Sequence, residues 1–194
     1  MATNPPTLHT PRLRLRPWRE EDRAALAALN ADPAVMRHFP APLDRAASDA
    51  FMDRMAAHLD AHGYGFWAVE RLGVPGIIGL CGLARLAWES IPWEAPADPP
   101  VEIGWRFATA FQRQGLAEEA ARIALAHGFG PLGLAEIVAF TVPENIRSWS
   151  LMERLGMRPA GVFGHPRLPE GHRLRRHTLY RLRRADWIEA HLGG

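Results

Sequence analysis

The sequence predicts a mixed α/β domain in which one sheet combines antiparallel and parallel strands and carries helices on both sides. Two patterns predict it. Residues 66–69 and 77–83 are apolar runs joined by a turn containing Gly73, Pro75 and Gly76, which makes an antiparallel hairpin. Val101–Phe107, an Ala-rich helix over 115–129, and Glu136–Thr141 follow as strand, helix and strand, the order of a crossover connection. With no internal repeat, and 194 residues, the chain fits one domain spanning 1–194.

Leu13 and Leu15 alternate with Arg12, Arg14 and Arg16, the period of a strand whose arginine face is solvated, and Pro17 ends it. A helix over 20–29 stops at Asn30-Ala31-Asp32-Pro33, and a longer one covers 44–62 with Phe51, Met55 and Leu59 on one face. The hairpin comes next. Residues 84–100 are irregular, with Pro92, Pro96, Pro99 and Pro100 among Trp88 and Trp93, and a connection of that length in a compact domain usually binds something or is disordered. After Glu136–Thr141 comes a helix over 145–155 that Gly156 closes, then strands near 160–163 and 178–182.

All 23 basic side chains are arginines against 21 acids, so the net charge of +2 does not provide the patch that a nucleic-acid backbone requires. The run Arg175, Arg176, Arg181, Arg183, Arg184 reads as a solvated face. One cysteine, Cys81, excludes an intramolecular disulfide, and no stretch approaches the roughly 20 apolar residues of a membrane span. A soluble cytoplasmic protein is expected, with neither membrane nor nucleic acid as a partner. His165, His172 and His177 lack the compact spacing of a zinc site, so no metal is expected.

The chemistry-bearing feature is the turn Gln112-x-x-Gly115-x-Ala117 between a strand and a helix. Helix starts present unpaired N–H groups and a positive dipole end, and small residues let phosphate oxygens approach. Arg113 adds a charge-assisted contact. The turn lacks the three glycines of a dinucleotide fingerprint and the Gly-Lys-Ser/Thr ending of a triphosphate loop.

Val101-Glu102-Ile103-Gly104-Trp105, the 112–117 turn with Glu119-Ala120, and Asn145-x-x-Ser148 followed by Glu153-Arg154-Leu155-Gly156-Met157 together resemble the GNAT superfamily of N-acetyltransferases. More narrowly they resemble its RimJ/RimL-like branch of ribosomal-protein N-terminal acetyltransferases. The resemblance implies a three-layer fold whose mixed sheet is splayed at its centre, between Val101–Phe107 and Glu136–Thr141, with acetyl-CoA lying in the gap. It implies cofactor contacts from Ile103, Trp105, Gln112, Arg113, Gln114, Gly115, Leu116, Ala117, Asn145, Ser148 and Met152. The reaction is attack of a primary amine on the thioester within a ternary complex, the acceptor being a protein N-terminus or a small molecule.

Strand alternation puts Glu102 and Gly104 opposite Ile103 and Trp105, and Glu102 is the candidate base, directly or through water. The amide of Trp105 or Arg106 is the candidate oxyanion donor. Asn145 matches the family residue that contacts the pantetheine arm and also suits the N-cap of its helix, roles that are compatible. Ser148 shares its face and is the candidate group at the thiol. Many family members carry a tyrosine acid where this chain has Met152, which cannot donate a proton, so Ser148, water or no acid serves. The segment from His165 to Arg167, with His172, borders the acceptor site or is an ordinary loop. Trp67, Trp88 and Trp93 serve as acceptor contacts, loop anchors or homodimer packing. Two other classes stay open: a non-catalytic acyl-CoA-binding module and a structural homodimer.

Overall fold

The computed structural model describes residues 5–94 and 99–192; Pro96 of the long connection lies outside them. The chain divides into two compact units, Met1–Ala84 with Gly104–Ala124, and Arg85–Ile103 with Leu125–Gly194. It passes between them three times, inside two strands (after Ala84 and after Ile103) and inside a helix (after Ala124).

The first unit carries strands β1 (Leu8–His9), β2 (Leu13–Arg16), β3 (Phe66–Arg71) and β4 (Ile77–Arg85), each antiparallel to the next. Between β2 and β3 lie helices α1 (Arg23–Ala31), α2 (Pro33–Met36) and α3 (Arg45–His62). The stop predicted at residues 30–33 is a junction: Asp32 caps Ala34 N–H at 2.8 Å and Pro33 opens α2, where its missing N–H costs nothing. Asp44 caps α3 through Ala47 N–H at 2.7 Å, and Gly63 ends it. The core of this unit joins Leu26, Leu29, Val35, Met52, Met55 and Leu80.

The alternation in β2 is correct for Leu13 and Leu15, both fully buried, but its arginine face is not solvated throughout. Arg16 is only 3% exposed. Its guanidinium meets Asp22 in two hydrogen bonds of 2.7 Å and Glu70 in a third of 2.7 Å. A charge survives burial there because carboxylates surround it.

Strand β5 (Val101–Phe107) links the units. Its C-terminal half lies beside β4: Ala108 N–H donates to Ile78 O at 3.0 Å, and a Cβ on Gly79 would stand 2.3 Å from Arg106 O, so only glycine fits. Its N-terminal half runs parallel to β6 (Glu136–Thr141), with the register pair Glu102–Val138.

Helix α4 (Leu116–Phe129) precedes β6, and α5 (Ile146–Arg154), β7 (Arg158–Gly164), β8 (Arg176–Arg183) and α6 (Arg184–Leu192) follow it. Within the second unit β8 lies between β6 and β7 and is antiparallel to both. The eight strands therefore hydrogen-bond in the order β1-β2-β3-β4-β5-β6-β8-β7, a mixed sheet as predicted. Both β7 and β8 are longer than predicted, and β1, α2 and α6 have no sequence counterpart in the periodicity reading. Among the described residues no helix is long and apolar enough to cross a membrane.

Candidate active site

In the first unit the predicted phosphate turn is built as the local sequence dictates. Gly115 has φ 75° and Arg113 φ 60°, so the turn places two residues in the left-handed region within three positions. Glycine takes that conformation freely and arginine does not. The first helical bond of α4 runs from Glu119 N–H to Gly115 O at 3.0 Å, which leaves the amides of Leu116 and Ala117 in the open first turn.

Side chains hold the loop in this shape. Gln112 Nε2 donates to Phe107 O at 2.9 Å and Gln114 Nε2 to Ala110 O at 2.8 Å, while Arg71 donates to Gln114 Oε1 at 3.0 Å. Glu119, only a letter of the motif in the sequence, accepts from Thr10 Oγ1 at 2.6 Å and from Arg12 N and Nε at 3.0 and 2.6 Å. Arg12 in turn donates to Gln114 O at 3.0 Å. Burial works to raise the Glu119 pKa, but these hydrogen bonds outweigh it and hold the carboxyl below its ordinary range. Arg113, Gln114 and Gly115 are exposed at this helix start, whose open amides favour an anion. Gly115→Val would force a β-branched residue into the left-handed region, a strain of about 1–2 kcal/mol. We expect acetyl-CoA affinity to fall about tenfold in calorimetric titration; unchanged affinity would remove the turn from the cofactor site.

In the second unit Glu102 and Val138 lie side by side and share a face of the sheet. Val138 belongs to a core cluster with Leu86, Phe163 and Leu179, against which Trp88, Ile91, Trp93 and Phe140 pack. Trp88 lies 4.9 Å from the His165 ring and 5.3 Å from Phe140, and His165 and His177 are 5.0 Å apart. Burial pushes Glu102 up to about 7, the charge of Arg167 only partly opposing it. Arg167 itself donates to Ala87 O at 3.2 Å, tying the segment from His165 to Arg167 to the 84–100 connection. A carboxyl poised near neutrality, against a largely apolar wall, has the properties of a general base.

The remaining predicted residues sort as follows. Ile103 is buried and Trp105 half-buried on β5. Asn145 stands at the N-cap of α5, but its side chain makes no capping hydrogen bond; its Nδ2 donates to Thr141 Oγ1 at 2.9 Å. Ser148 is half-buried one turn into α5, and Met152 is 2% exposed. His172 is turned into its own loop, its Nδ1 accepting from Leu174 N–H at 3.1 Å, and His177 takes the place beside His165. Trp67 is fully buried in the first unit, donating to Pro6 O at 3.0 Å, and so is an anchor instead of an acceptor contact. Phe140 and Phe163 were not singled out from the sequence, nor was His177 as a neighbour of His165; their shared parity on β6, β7 and β8 becomes informative only once the strands are paired.

The mixed sheet, with a helix opened by a turn that ends in Gly115, is the fold of an acetyl-CoA-dependent acetyltransferase. The chain belongs to the GNAT family: the acetyltransferase (GNAT) domain matches residues 12–158. It is 30% identical over 192 residues, 94% of this chain and 78% of the relative, to FsC-acetyl coenzyme A-N(2)-transacetylase of Aspergillus fumigatus. The fold matches a GNAT-family acetyltransferase from Bacillus anthracis with a TM-score of 0.76 at 24% identity, covering 93% of this chain and 99% of that one. It also matches Mycobacterium smegmatis RimJ, solved with CoA-disulfide, with a TM-score of 0.71 at 20% identity, covering 98% and 97%. Among the described residues no group of three or more His, Cys, Asp or Glu side chains could hold a metal ion.

Proposed function

We propose that this enzyme transfers an acetyl group from acetyl-CoA to a primary amine by direct attack within a ternary complex, with Glu102 as the proton acceptor. The observation that carries this reading is the position of Glu102: on the face bearing the aromatic and histidine side chains, with burial raising its carboxyl to about 7. Acetyl-CoA supplies an activated thioester, so positioning contributes much of the rate. The Gln112, Arg113, Gln114, Gly115, Leu116 and Ala117 turn would hold the pyrophosphate, and Ile103, Trp105, Asn145, Ser148 and Met152 would line the pantetheine arm.

The ammonium of the acceptor must lose a proton before it attacks, and Glu102 takes it directly or through water. The amide of Trp105 or Arg106 polarises the thioester oxygen. Met152 is buried and carries no proton, so the departing thiolate is met by Ser148 or by solvent. The likeness to the RimJ/RimL-like branch supports a protein N-terminus as acceptor; small-molecule amines fit the same chemistry.

The test is thiol release from acetyl-CoA in the presence of an amine panel of peptides, polyamines and amino-acid derivatives, with the acetylated product identified by mass. Amine-dependent release with a matching product is expected. Tight acetyl-CoA binding with no release across the panel would mark a binding module instead.

A further inference from the structure

In the first unit Arg16 and Arg106 both bring a charge inward, and they are partnered in opposite ways. Arg16 meets two carboxylates, Asp22 and Glu70. Arg106, near the end of β5 and half-buried, meets no carboxylate among the described residues. Its Nη1 donates to Asn30 Oδ1, while its Nε is fully buried and has no acceptor. The guanidinium carbon lies 4.2 Å from the centre of the Phe39 ring and 5.2 Å from that of Phe51. Ring faces attract a cation but carry no charge to balance it.

The groups around Arg106 are held by bonds of their own. Asn30 Nδ2 donates to Ser48 Oγ at 2.9 Å, and both residues are fully buried, so the Asn30 amide is fixed from its other end. Asp32, the acid nearest to Asn30 in the chain, is engaged elsewhere: it accepts from Ala34 N–H at 2.8 Å and from Thr109 Oγ1 at 3.0 Å. Burial alone moves Arg106, pulling it down to about 10, so the side chain stays charged at neutral pH. A guanidinium offers five N–H donors, and the protein fills one of them here. The missing component is an anion. A carboxylate brings one negative charge in the planar form that a guanidinium edge matches. A phosphate dianion would leave an excess of charge beside two phenylalanine rings, and a second ammonium, as in a polyamine, would be repelled.

We propose that Arg106 receives a carboxylate of the acceptor, so that the substrates of this enzyme are amines that also carry an acid group. This rests on the amine-transfer reading, in which the amide of Trp105 or Arg106 meets the thioester oxygen. An amine attacking that carbonyl stands beside the residue whose side chain holds the anion. The α-carboxylate of a free amino acid and an acidic side chain next to a peptide N-terminus present the same group.

The experiment is calorimetric titration of the CoA-saturated protein at about pH 6, where every amine used is an ammonium. One arm compares leucine with leucinamide, and the other compares seryl-glutamate amide with seryl-glutamine amide. The acid should bind about ten- to a hundredfold more tightly than its amide in one arm, the worth of a charge-assisted hydrogen bond. A preference in the first arm identifies an amino acid as acceptor, and one in the second a peptide. Arg106→Met should erase the preference, and Arg106→Lys, which keeps the charge without the fork, should retain part of it. Equal affinities within both pairs overturn the proposal, a comparison that needs only the wild type; so does a preference that survives Arg106→Met. Thiol release is read separately: its absence would sink the transferase reading without altering what the affinities say.

Discussion

Glu102→Gln is expected to lower kcat by about a hundredfold or more while leaving acetyl-CoA affinity unchanged. Glutamine preserves the shape of the side chain and removes its ability to take a proton, so the change separates chemistry from cofactor binding. With its carboxyl near 7, the wild-type rate should rise with pH through that region and then level. The variant should follow only the ionisation of the acceptor amine. Turnover that matches the wild type at every pH would remove Glu102 from the mechanism.

The same group makes a thermodynamic prediction. Its folded-state pKa lies above the ordinary 4.5, so between about 4.5 and 7 the folded chain holds a proton that the unfolded chain has released. The contribution of Glu102 to stability is therefore fully present below 4.5 and falls as pH rises through 7. Glu102→Gln should be more stable than the wild type at pH 8, and the difference should vanish at pH 4. Parallel denaturant titrations at the two pH values check this without any substrate.

Asp22→Ala is expected to cost about 3–5 kcal/mol of stability, the penalty for breaking a buried ion pair from one side. Arg16 and Asp22 are each 3% exposed, and Asp22 also accepts Arg19 N–H at 2.8 Å. Removing its carboxylate takes two buried hydrogen bonds from the Arg16 guanidinium and leaves Glu70 as its only carboxylate partner. Arg16→Met with Asp22→Leu should recover most of the loss, because apolar side chains replace the pair and Glu70 keeps its ion pair with Arg14 at 2.6 Å. Urea midpoints at constant slope measure both, and a loss under about 1 kcal/mol would show that the network relaxes around the gap. Glu70 adds a pH signature. Burial acts to raise its carboxyl, but Arg14 and Arg16 hold it below the ordinary 4.5, so its contribution is present above 4.5 and lost as pH falls below that value.

Several readings from the primary structure hold because they depend only on neighbours along the chain. Val101–Phe107 and Glu136–Thr141 coincide with β5 and β6, since apolar strand runs bounded by turn residues need no partner to be recognised. Gly115 is similar: a helix start and a left-handed residue are local events. The helix over 145–155 and its glycine stop also belong to this class, Gly156 having φ 86°.

Other features were illegible for a definite reason. The pattern of Arg12, Arg14 and Arg16 is uniform in sequence, yet only Arg16 is buried, because Asp22 and Glu70 come from distant segments to meet it. Asn145 has the identity of a cap, but its side chain makes no capping bond and its Nδ2 donates to the Thr141 hydroxyl. Helix α6 shows no clear apolar stripe, and β1 is two residues long, too short for any period to register.

By itself, then, the amino-acid sequence determined the class of fold and the glycine turn that opens α4, each a matter of hydrophobic pattern or local conformation. Only tertiary structure decided what lies on the sheet face that Glu102 shares. Pairing β6 with β8 and β8 with β7 put Phe140, Phe163 and His177 beside the segment from His165 to Arg167, residues that lie up to 37 positions apart and share no local pattern. Burial raised Glu102 and neutralised the histidines, and burial is a property of what packs against a side chain, not of the side chain itself.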